Sequence, residues 1–349
     1  MSTATVDPDA PGLGDGLYGL PADAEGALFQ VIPVPWEATA SYGRGTRGGP
    51  AAVLAASAQV DLEDTEYGPI WERGIAWLPV HDEIADAMEE VEGDALAVIA
   101  AGGVDASPGV APLAARVDAV ADAVHARVEA LCAAAFDAGQ VPVVLGGDHS
   151  CPLPLLRAAA ARHPGLGVLH IDAHADLRDA YLGFRHSHAS IMHNTLALPG
   201  VSALVGVAWR DLGRRELRRI HAEPRIRAFL DEELGRRQVS GEPWSAVVDE
   251  IVDALPPQVH ISFDIDGLDP TLCPETGTPV PGGLRWPQAM ALLRAVAARR
   301  EVVSFDLCEV APGVQREDGR DGWDAIVGAR LLYKLCGVAL MGRQRREQG

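Results

Sequence analysis

Three short segments combine aspartate and histidine at spacings that suit metal binding. They read GGDHS at residues 146–150, DAHAD at residues 172–176 and DIDGLDP at residues 264–270. Side chains alternate between the two faces of an extended chain, so alternate acidic and histidine side chains should leave the chain on one side. Carboxylates crowded in this way repel one another, and burying them unpaired is costly. A divalent cation between them would relieve both penalties.

The donor set indicates which ions could bind and how many. The candidate ligands are four aspartates and two histidines: His149, Asp172, His174, Asp176, Asp264 and Asp266. Oxygen-rich sets assisted by imidazole suit Mn²⁺ or a neighbouring first-row metal. Six ligands exceed the need of one open catalytic ion and suit two bridged ions about 3.5–4 Å apart. The sequence therefore predicts two divalent ions per chain, with Ni²⁺ and Mn²⁺ both open.

Each segment taken alone has a structural alternative. An Asp-x-His-x-Asp sequence can form a turn or a cluster of helix caps. His149 could stand at a helix start, with Asp148 or Ser150 as its cap. Asp269-Pro270 is typical of a turn and is interpreted as one. The metal hypothesis therefore rests on all three segments following strands of one sheet.

Apolar runs come before these segments and predict the strands that position them. Such runs, rich in Val, Ile and Leu, lie at Leu28–Val34, Ile75–Val80, Val141–Leu145, Gly167–Ile171, Ala203–Val207, Gln258–Phe263 and Val302–Leu307. Continuous apolar runs are typical of strands buried on both faces of a parallel sheet. Sites in such sheets lie at the carboxyl ends of the strands. All three segments stand at that position.

Helical patterns fill the intervals between the predicted strands. The clearest is an apolar stripe with spacings of three and four from Leu113 to Ala135. Further helices are predicted at Pro50–Ser57, Pro152–Arg162, Arg214–Arg237, Trp244–Ala254, Trp286–Arg299 and Trp323–Leu335. Repeated strand–helix order predicts an α/β fold, a mostly parallel sheet with helices on both faces. Residues 1–26, rich in Pro, Gly and Asp, predict a flexible arm, and residues 27–349 a single catalytic domain.

Composition excludes some functions and favours a compartment. The 349 residues include 29 Lys+Arg and 49 Asp+Glu, a net charge of −20 that argues against a nucleic-acid partner. A hydrophobic share of 48% suffices for a large core. No unbroken apolar run reaches the roughly 18 residues of a membrane span, so no membrane partner is predicted. The N-terminus lacks the basic start of a secretory signal, and five cysteines without CxxC spacing favour a cytoplasmic protein with reduced thiols.

The three segments resemble, in order and spacing, the signatures of the ureohydrolases, which include arginase, agmatinase, guanidinobutyrase, formiminoglutamase and guanidine hydrolase. The resemblance covers about residues 28–340. It implies a three-layer α/β/α fold and a homo-oligomer, usually a trimer or hexamer. It also implies hydrolysis of a cationic guanidino substrate to urea plus an amine or ammonia.

The resemblance also divides the six candidate ligands between two metal sites. One site would be completed by His149 and Asp176, the other by His174 and Asp266, and both would share the bridging Asp172 and Asp264. Metal ions lower the pKa of bound water from about 15.7 toward about 7. The resulting hydroxide would attack the guanidinium carbon. Asp176 is predicted both as a metal ligand and as a catalytic residue.

Two further residues match positions that contact substrate in the family. Glu309, in the sequence DLCEVAP at residues 306–312, matches the glutamate that faces the guanidinium, where a carboxylate gives planar, charge-assisted recognition. Its alternative is an exposed Glu at a strand end. His188 lies where the family has a His-Gly-Thr loop and would carry a proton to the leaving nitrogen. Ala189 replaces the glycine of that loop.

Two loops bear on the choice of substrate. Residues 35–46 and 186–194 look more like the branch that contains nickel-dependent guanidine hydrolases than like arginase or typical agmatinase. Trp36 and Trp209 could shape a tight aromatic pocket for a compact cation, or they could be core or interface aromatics. The leading hypothesis is therefore hydrolysis of guanidine or an N-substituted guanidine, and the alternative is an agmatinase or guanidinobutyrase.

Two other classes of protein remain as hypotheses. A non-catalytic subunit could stabilise an active homologue in a mixed oligomer, but loss of metal ligands would mark it and all six are present. A zinc deacetylase of similar architecture would use a single ion. That reaction does not call for the second half of the ligand set.

Overall fold

The sheet follows from the apolar runs, and the computed structural model describes it within residues 7–9, 12, 14–22, 26–313 and 322–348. Its strands are β1 Phe29–Val34, β2 Ile75–Trp77, β3 Val141–Gly146, β4 Leu166–Ile171, β5 Val201–Val207, β6 Ile226–Phe229, β7 Gln258–Asp264 and β8 Glu301–Cys308. Every pairing is parallel, in the order β2-β1-β3-β8-β7-β4-β5-β6. The predicted parallel sheet is confirmed.

Helices cover both faces of this sheet. They are α1 Gly49–Ser57, α2 His81–Ala100, α3 Ala111–Asp137, α4 Leu153–Arg162, α5 Ile191–Leu196, α6 Arg214–Ala222, α7 Asp231–Val239, α8 Trp244–Asp253, α9 Trp286–Arg299 and α10 Trp323–Gln348. Alternate strand residues feed two separate cores: Val143 and Leu145 of β3 pack in one, and Val144 packs in the other. Helices α1, α8, α9 and α10 border the first core, and α2, α3 and α4 border the second. The expected three layers are present.

The helix predicted over Arg214–Arg237 is wrong in its middle. Helix α6 ends at Ala222, a short strand β6 pairs with β5, and α7 begins at Asp231. Glu223 has extended backbone angles, φ −92° and ψ 109°, directly before Pro224. A proline disfavours helical geometry at the residue before it. Pro224 therefore ends the helix, and the residues after it form the edge strand β6.

Helix α2 has no counterpart among the predicted helices, and α10 is longer than predicted. The α2 residues Ile84, Met88, Val91 and Ala95 are buried at helical spacing. The predicted strand Ile75–Val80 is correspondingly shorter. Helix α10 is long and apolar enough to cross a membrane by length and composition, but 78% of its apolar window is buried against the protein.

The segment predicted as an arm is described in part. Within residues 14–22, Leu17 and Tyr18 are buried in the core that α1 and α10 border. The Tyr18 backbone N–H donates to Ser57 Oγ at 2.8 Å, and its hydroxyl donates to the Ala329 carbonyl at 3.0 Å. These residues therefore pack on the protein, and residues 1–6, 10–11, 13 and 23–25 lie outside the described residues.

A buried histidine of α3 supports the loop that precedes α5. His125 is 3% exposed and contacts His186 edge to face, with ring centroids 4.6 Å apart. His186 Nε2 lies 2.8 Å from Asp122 Oδ1. Burial, reinforced by the neighbouring His186, Arg157 and Arg185, lowers the pKa of His125 to about 3. The folded protein therefore holds this ring neutral.

We expect this ring to make the fold acid-sensitive, and His125→Phe to reduce that sensitivity. The unfolded chain takes up a proton near pH 6.5 that the folded protein refuses until about pH 3, so stability falls as pH decreases through this window. From pH 7 to pH 5 the wild type should lose about 2 kcal/mol more than the variant. Urea unfolding at both pH values measures the difference. Equal losses in the two proteins would contradict the assignment.

Candidate metal centre

Four adjacent strands bring the acidic segments to one edge of the sheet. Strands β3, β8, β7 and β4 are consecutive neighbours. GGDHS overlaps the end of β3, DAHAD follows β4, and Asp264 is the last residue of β7. Glu309 directly follows β8. Because parallel strands end at the same edge, all four segments meet there.

One group of carboxylates surrounds a single nitrogen of His149. Its Nδ1 lies 2.9 Å from Asp172 Oδ2, 3.2 Å from Asp264 Oδ2 and 3.4 Å from Asp176 Oδ2. All four residues are buried. Asp176 has a φ of +53°, which is strained for a residue other than glycine. Strain of this kind is common at functional sites because the surroundings must hold it.

A second group meets at His174 and shares one member with the first. His174 Nδ1 lies 3.2 Å from Asp266 Oδ2 and 3.3 Å from Asp172 Oδ1. The two oxygens of Asp172 thus face different histidines. The Ala173 N–H donates to Asp266 Oδ1 at 3.0 Å, and the Asp266 N–H donates to Asp264 Oδ1 at 2.8 Å. These backbone bonds fix the second segment against the third.

The electrostatics of the cluster show a concentration of negative charge. Burial, together with the charges of Asp266 and Asp172, raises the pKa of Asp264 well above its usual range. Burial disfavours protonated His174, but the charges and hydrogen bonds of Asp266 and Asp172 outweigh it and raise its pKa to about 12. Both shifts reflect excess negative charge in a buried space. Two divalent cations would compensate this charge, and the oxygen and imidazole donors suit them.

Glu309 and His188 lie together beside this cluster. The two side chains are 3.4 Å apart between Glu309 Oε1 and His188 Nδ1. Glu309 Oε1 also accepts from the His149 N–H at 2.8 Å, and Glu309 has a φ of +61°. The His188 N–H donates to Thr39 Oγ1 at 2.9 Å, and that hydroxyl donates to Asp148 Oδ2 at 2.9 Å. Thr39 and Asp148 therefore orient His188, a role that the sequence analysis did not assign.

A cavity of about 150 Å³ opens above the cluster. Six of the predicted site residues line this cavity: His149, His174, Asp176, His188, Asp264 and Glu309. Its lining also includes residues that the sequence analysis missed: Ser41, Arg178, Tyr181, Asp211, Glu216 and Thr278. The signal for Asp211 was available, since it lies shortly after the carboxyl end of β5. Its N–H donates to the Ala173 carbonyl at 3.1 Å, which ties it to the DAHAD segment.

Trp36 and Trp209 do not line this cavity, which corrects the substrate contact predicted for them. Both are almost fully buried in the core bordered by α2, α3 and α4. Trp209 Nε1 donates to His170 Nδ1 at 3.0 Å, and His170 Nε2 lies 2.9 Å from Asp172 Oδ2. Both rings therefore fill core space behind the site and cannot contact a substrate in the cavity. The sequence had left this core position open as the alternative.

A polar group of four residues lies beneath His149. Ser262 Oγ is 2.9 Å from His149 Nε2 and donates to Asp306 Oδ1 at 3.2 Å. Asp306 Oδ2 lies 2.7 Å from His260 Nε2, and His260 Nδ1 lies 2.8 Å from Ser304 Oγ. Burial raises the pKa of Asp306, but the neighbouring His149 and His260 outweigh it and hold the pKa at about 2.

Known proteins are similar to this chain in sequence and in fold. The sequence model described as the Arginase family matches residues 27–337. The chain is 33% identical over 317 residues to N(1)-aminopropylagmatine ureohydrolase of Thermus thermophilus, which covers 91% of this chain and 92% of that protein. It is 36% identical to guanidinobutyrase of Pseudomonas aeruginosa over 211 residues, 60% of this chain and 63% of the relative.

A solved structure supports the same conclusion for the fold. Proclavaminate amidinohydrolase from Streptomyces clavuligerus superposes with a TM-score of 0.69 and 24% identity, covering 94% of this chain and 97% of that one. The family model and the Thermus relative both extend over nearly the whole chain. The protein therefore belongs to the arginase family of ureohydrolases.

Proposed function

We propose that the protein hydrolyses a C–N bond of a guanidino compound to give urea and an amine. The observation that carries this proposal is one cavity lined by four of the candidate ligands, His149, His174, Asp176 and Asp264, together with Glu309. Ni²⁺ or Mn²⁺ would be held by one set containing His149 and Asp176 and another containing His174 and Asp266. Asp172 and Asp264 would bridge the two ions. When bound, such ions would polarise water and lower its pKa toward about 7.

The side chains beside the cluster suit the rest of the reaction. The Glu309 carboxylate would bind the planar guanidinium through charge-assisted hydrogen bonds and hold its carbon over the cluster. His188, in contact with Glu309, would pass a proton to the departing amine. Its Nδ1 faces Glu309, and Thr39 fixes its backbone, so the ring approaches substrate from one direction.

The rim of the cavity favours a substrate with a second charged end. Asp211 is exposed at this rim, and no hydrogen bond or ion pair of its carboxylate is found within the described residues. Glu216 is buried and accepts from the N–H groups of Leu177 and Gly213, so it is less available. A free carboxylate at the mouth suits the distal ammonium of agmatine or N(1)-aminopropylagmatine, the latter named for the Thermus relative. The compact aromatic pocket that favoured free guanidine is not supported by the tryptophan positions.

A second candidate is a guanidino acid, and Arg178 is the observation that favours it. Arg178 lines the same cavity and lies over the Tyr181 ring, 4.6 Å from its centroid. Its Nε is 3.8 Å from Glu216 Oε2, too long for a tight pair. A guanidinium at the mouth would attract the carboxylate of 4-guanidinobutyrate and repel a distal ammonium.

Substrate profiling with each metal decides between these candidates. Urea release would be measured for the Mn²⁺- and Ni²⁺-loaded enzyme with guanidine, methylguanidine, agmatine, N(1)-aminopropylagmatine, 4-guanidinobutyrate and arginine. We expect the amine-bearing substrates to give the highest kcat/KM. Preference for 4-guanidinobutyrate would support the second candidate. Preference for guanidine would restore the hypothesis drawn from the loops, and no urea from any of them would contradict the proposed function.

Asp211→Asn tests the role of the rim directly. An exposed ion pair contributes up to about 1 kcal/mol, so we expect KM for agmatine to rise about 3- to 5-fold while kcat changes little. Guanidine has no distal ammonium and serves as the control substrate. An equal change for both substrates would mean that Asp211 acts on the site generally and does not bind the distal amine.

The assembly and setting of the protein are part of the proposal. We expect residues 27–349 to act as one catalytic domain in a homo-oligomeric trimer or hexamer, which light scattering can measure. All five cysteines are free and buried, which suits a reducing compartment such as the cytoplasm. A mixed oligomer with a homologous subunit is the alternative. A metal content below about half an equivalent per chain after reconstitution would favour that alternative.

A further inference from the structure

A continuous chain of hydrogen-bonding groups runs from His149 into the interior of the sheet. It passes from His149 Nε2 to Ser262 Oγ over 2.9 Å, and from there to Asp306 Oδ1 over 3.2 Å. Asp306 Oδ2 is bonded to His260 Nε2 over 2.7 Å, and His260 Nδ1 to Ser304 Oγ over 2.8 Å. The four residues beyond His149 have no exposed surface. They lie behind the cluster and do not line the cavity.

Strand register explains how the chain is built. Ser262 is paired with Asp306, and His260 with Ser304, across the neighbouring strands β7 and β8. Side chains two residues apart on a strand share a face, so both pairs and Asp264 project to the same side of the sheet. Burying four polar side chains here is costly unless each has a partner. The pairing satisfies them jointly, so their positions depend on one another.

The donors and acceptors in this chain can point in only one direction. A carboxylate only accepts, so Asp306 must receive hydrogen bonds from both Ser262 and His260. Ser262 has one hydroxyl proton and gives it to Asp306. Its oxygen must therefore accept from His149, which makes Nε2 a protonated donor. The nitrogen left for coordination is Nδ1, the one that faces Asp172, Asp176 and Asp264.

We propose that Asp306, anchored by His260, is a positioning residue that keeps the proton of His149 on Nε2 and turns Nδ1 toward the metal cluster. The proposal rests on the proposed function in taking His149 as a metal ligand. A partner behind a ligating histidine commonly fixes its tautomer and orientation, and loss of such a partner weakens metal affinity about 10- to 100-fold. Here the partner carboxylate is Asp306, which acts on His149 through the intervening Ser262. The buried His260 holds the Asp306 carboxylate in place.

Asp306→Asn tests the proposal because the amide keeps the shape but can donate. The amide nitrogen could donate to Ser262 Oγ, so that the Ser262 hydroxyl would donate toward His149. His149 Nε2–H would then lose its acceptor. In calorimetric titration of metal-stripped full-length protein with Mn²⁺, we expect one of two binding events to weaken about 10- to 100-fold. The other event, at the His174 site, should stay within about 3-fold. Asp269→Asn makes the same Asp-to-Asn change in a carboxylate outside this network, one that caps a turn through Thr271; it is the control and should leave both events within about 3-fold.

A second measurement does not depend on metal. In ¹⁵N-labelled, metal-free wild type, the His149 Nε2–H should exchange slowly with solvent, because it is buried and bonded. In Asp306→Asn it should exchange at least about 10-fold faster. If that variant does not fold, Ser262→Ala removes the same acceptor and should give the same two results. Unchanged affinity together with unchanged exchange would overturn the proposal.

The two measurements also separate this inference from the proposed function. If wild type bound no metal and released no urea from any guanidino compound, the proposed function would fail. The exchange of the His149 Nε2–H would still show whether Asp306 sets its proton position. If wild type binds two ions and both weaken equally in Asp306→Asn, the variant disturbs the whole site and the positioning role is wrong.

Discussion

Asp264→Asn should lower kcat for the best guanidino substrate by at least about 10³-fold, equivalent to about 4 kcal/mol in the barrier. Asp264 Oδ2 lies 3.2 Å from His149 Nδ1, and the residue is buried at the end of β7. The amide keeps the size of the side chain but removes one negative charge and one of the two oxygens that could coordinate metal. Because two bound cations would need negative charge to compensate them, we expect the loss to affect metal binding first.

Metal analysis shows whether this loss has the expected cause. We expect mass spectrometry to find two ions per chain in reconstituted wild type and one ion or fewer in the variant. Asp269→Asn is the matched control, because Asp269 lies in the same loop but caps a turn through the N–H and hydroxyl of Thr271. It should keep both ions and most activity. Two retained ions with full activity in Asp264→Asn would exclude Asp264 as a bridging ligand.

Glu309→Gln should lower kcat/KM about 10²- to 10³-fold while metal content stays at the wild-type level. Its carboxylate is buried beside the cluster, where pairing with a cation is strong and loss of one partner costs about 2–5 kcal/mol. The glutamine oxygen can still accept from the His149 N–H, so the backbone turn with its positive φ should persist. The loss would therefore report on guanidinium binding and on the contact with His188.

The contrast between the two substitutions is itself informative. Asp264→Asn should lose metal together with activity, whereas Glu309→Gln should lose activity alone. Glu275→Gln, an exposed residue on a neighbouring loop, controls for the change from Glu to Gln and should have less than about 2-fold effect. Loss of an ion from Glu309→Gln would move Glu309 from substrate binding to the metal centre.

Much of the fold followed from short-range patterns. Apolar runs long enough for buried strands predicted seven strands close to their observed positions, because burial on both faces leaves a continuous signal. The missing strand β6 is an edge strand of four residues with only Phe229 buried. It lacks that signal, and its Arg-rich surroundings resemble a solvated helix. Only its pairing with β5 identifies it.

The aromatic residues show a different limit. Trp36 and Trp209 stand in segments next to the predicted site, and proximity in sequence suggested contact with substrate. The structure places both rings in the core behind it. The sequence shows that a residue lies near a strand end. It does not show on which side of the backbone a large ring packs, because that depends on the space between the other helices and strands. That space is decided by helices α2 to α4 and the segments around them.

The sequence by itself determined the family, the parallel α/β class and the segments that carry the chemistry. It did so because the spacing of two along a strand and the rule that parallel strands end together are local or general. Only the tertiary structure decided the strand order that makes β3, β8, β7 and β4 neighbours. That order brings GGDHS, DIDGLDP and DAHAD within hydrogen-bonding distance although many residues separate them. It also places Asp306 behind His149, because pairing partners come from long-range packing, which no local pattern records.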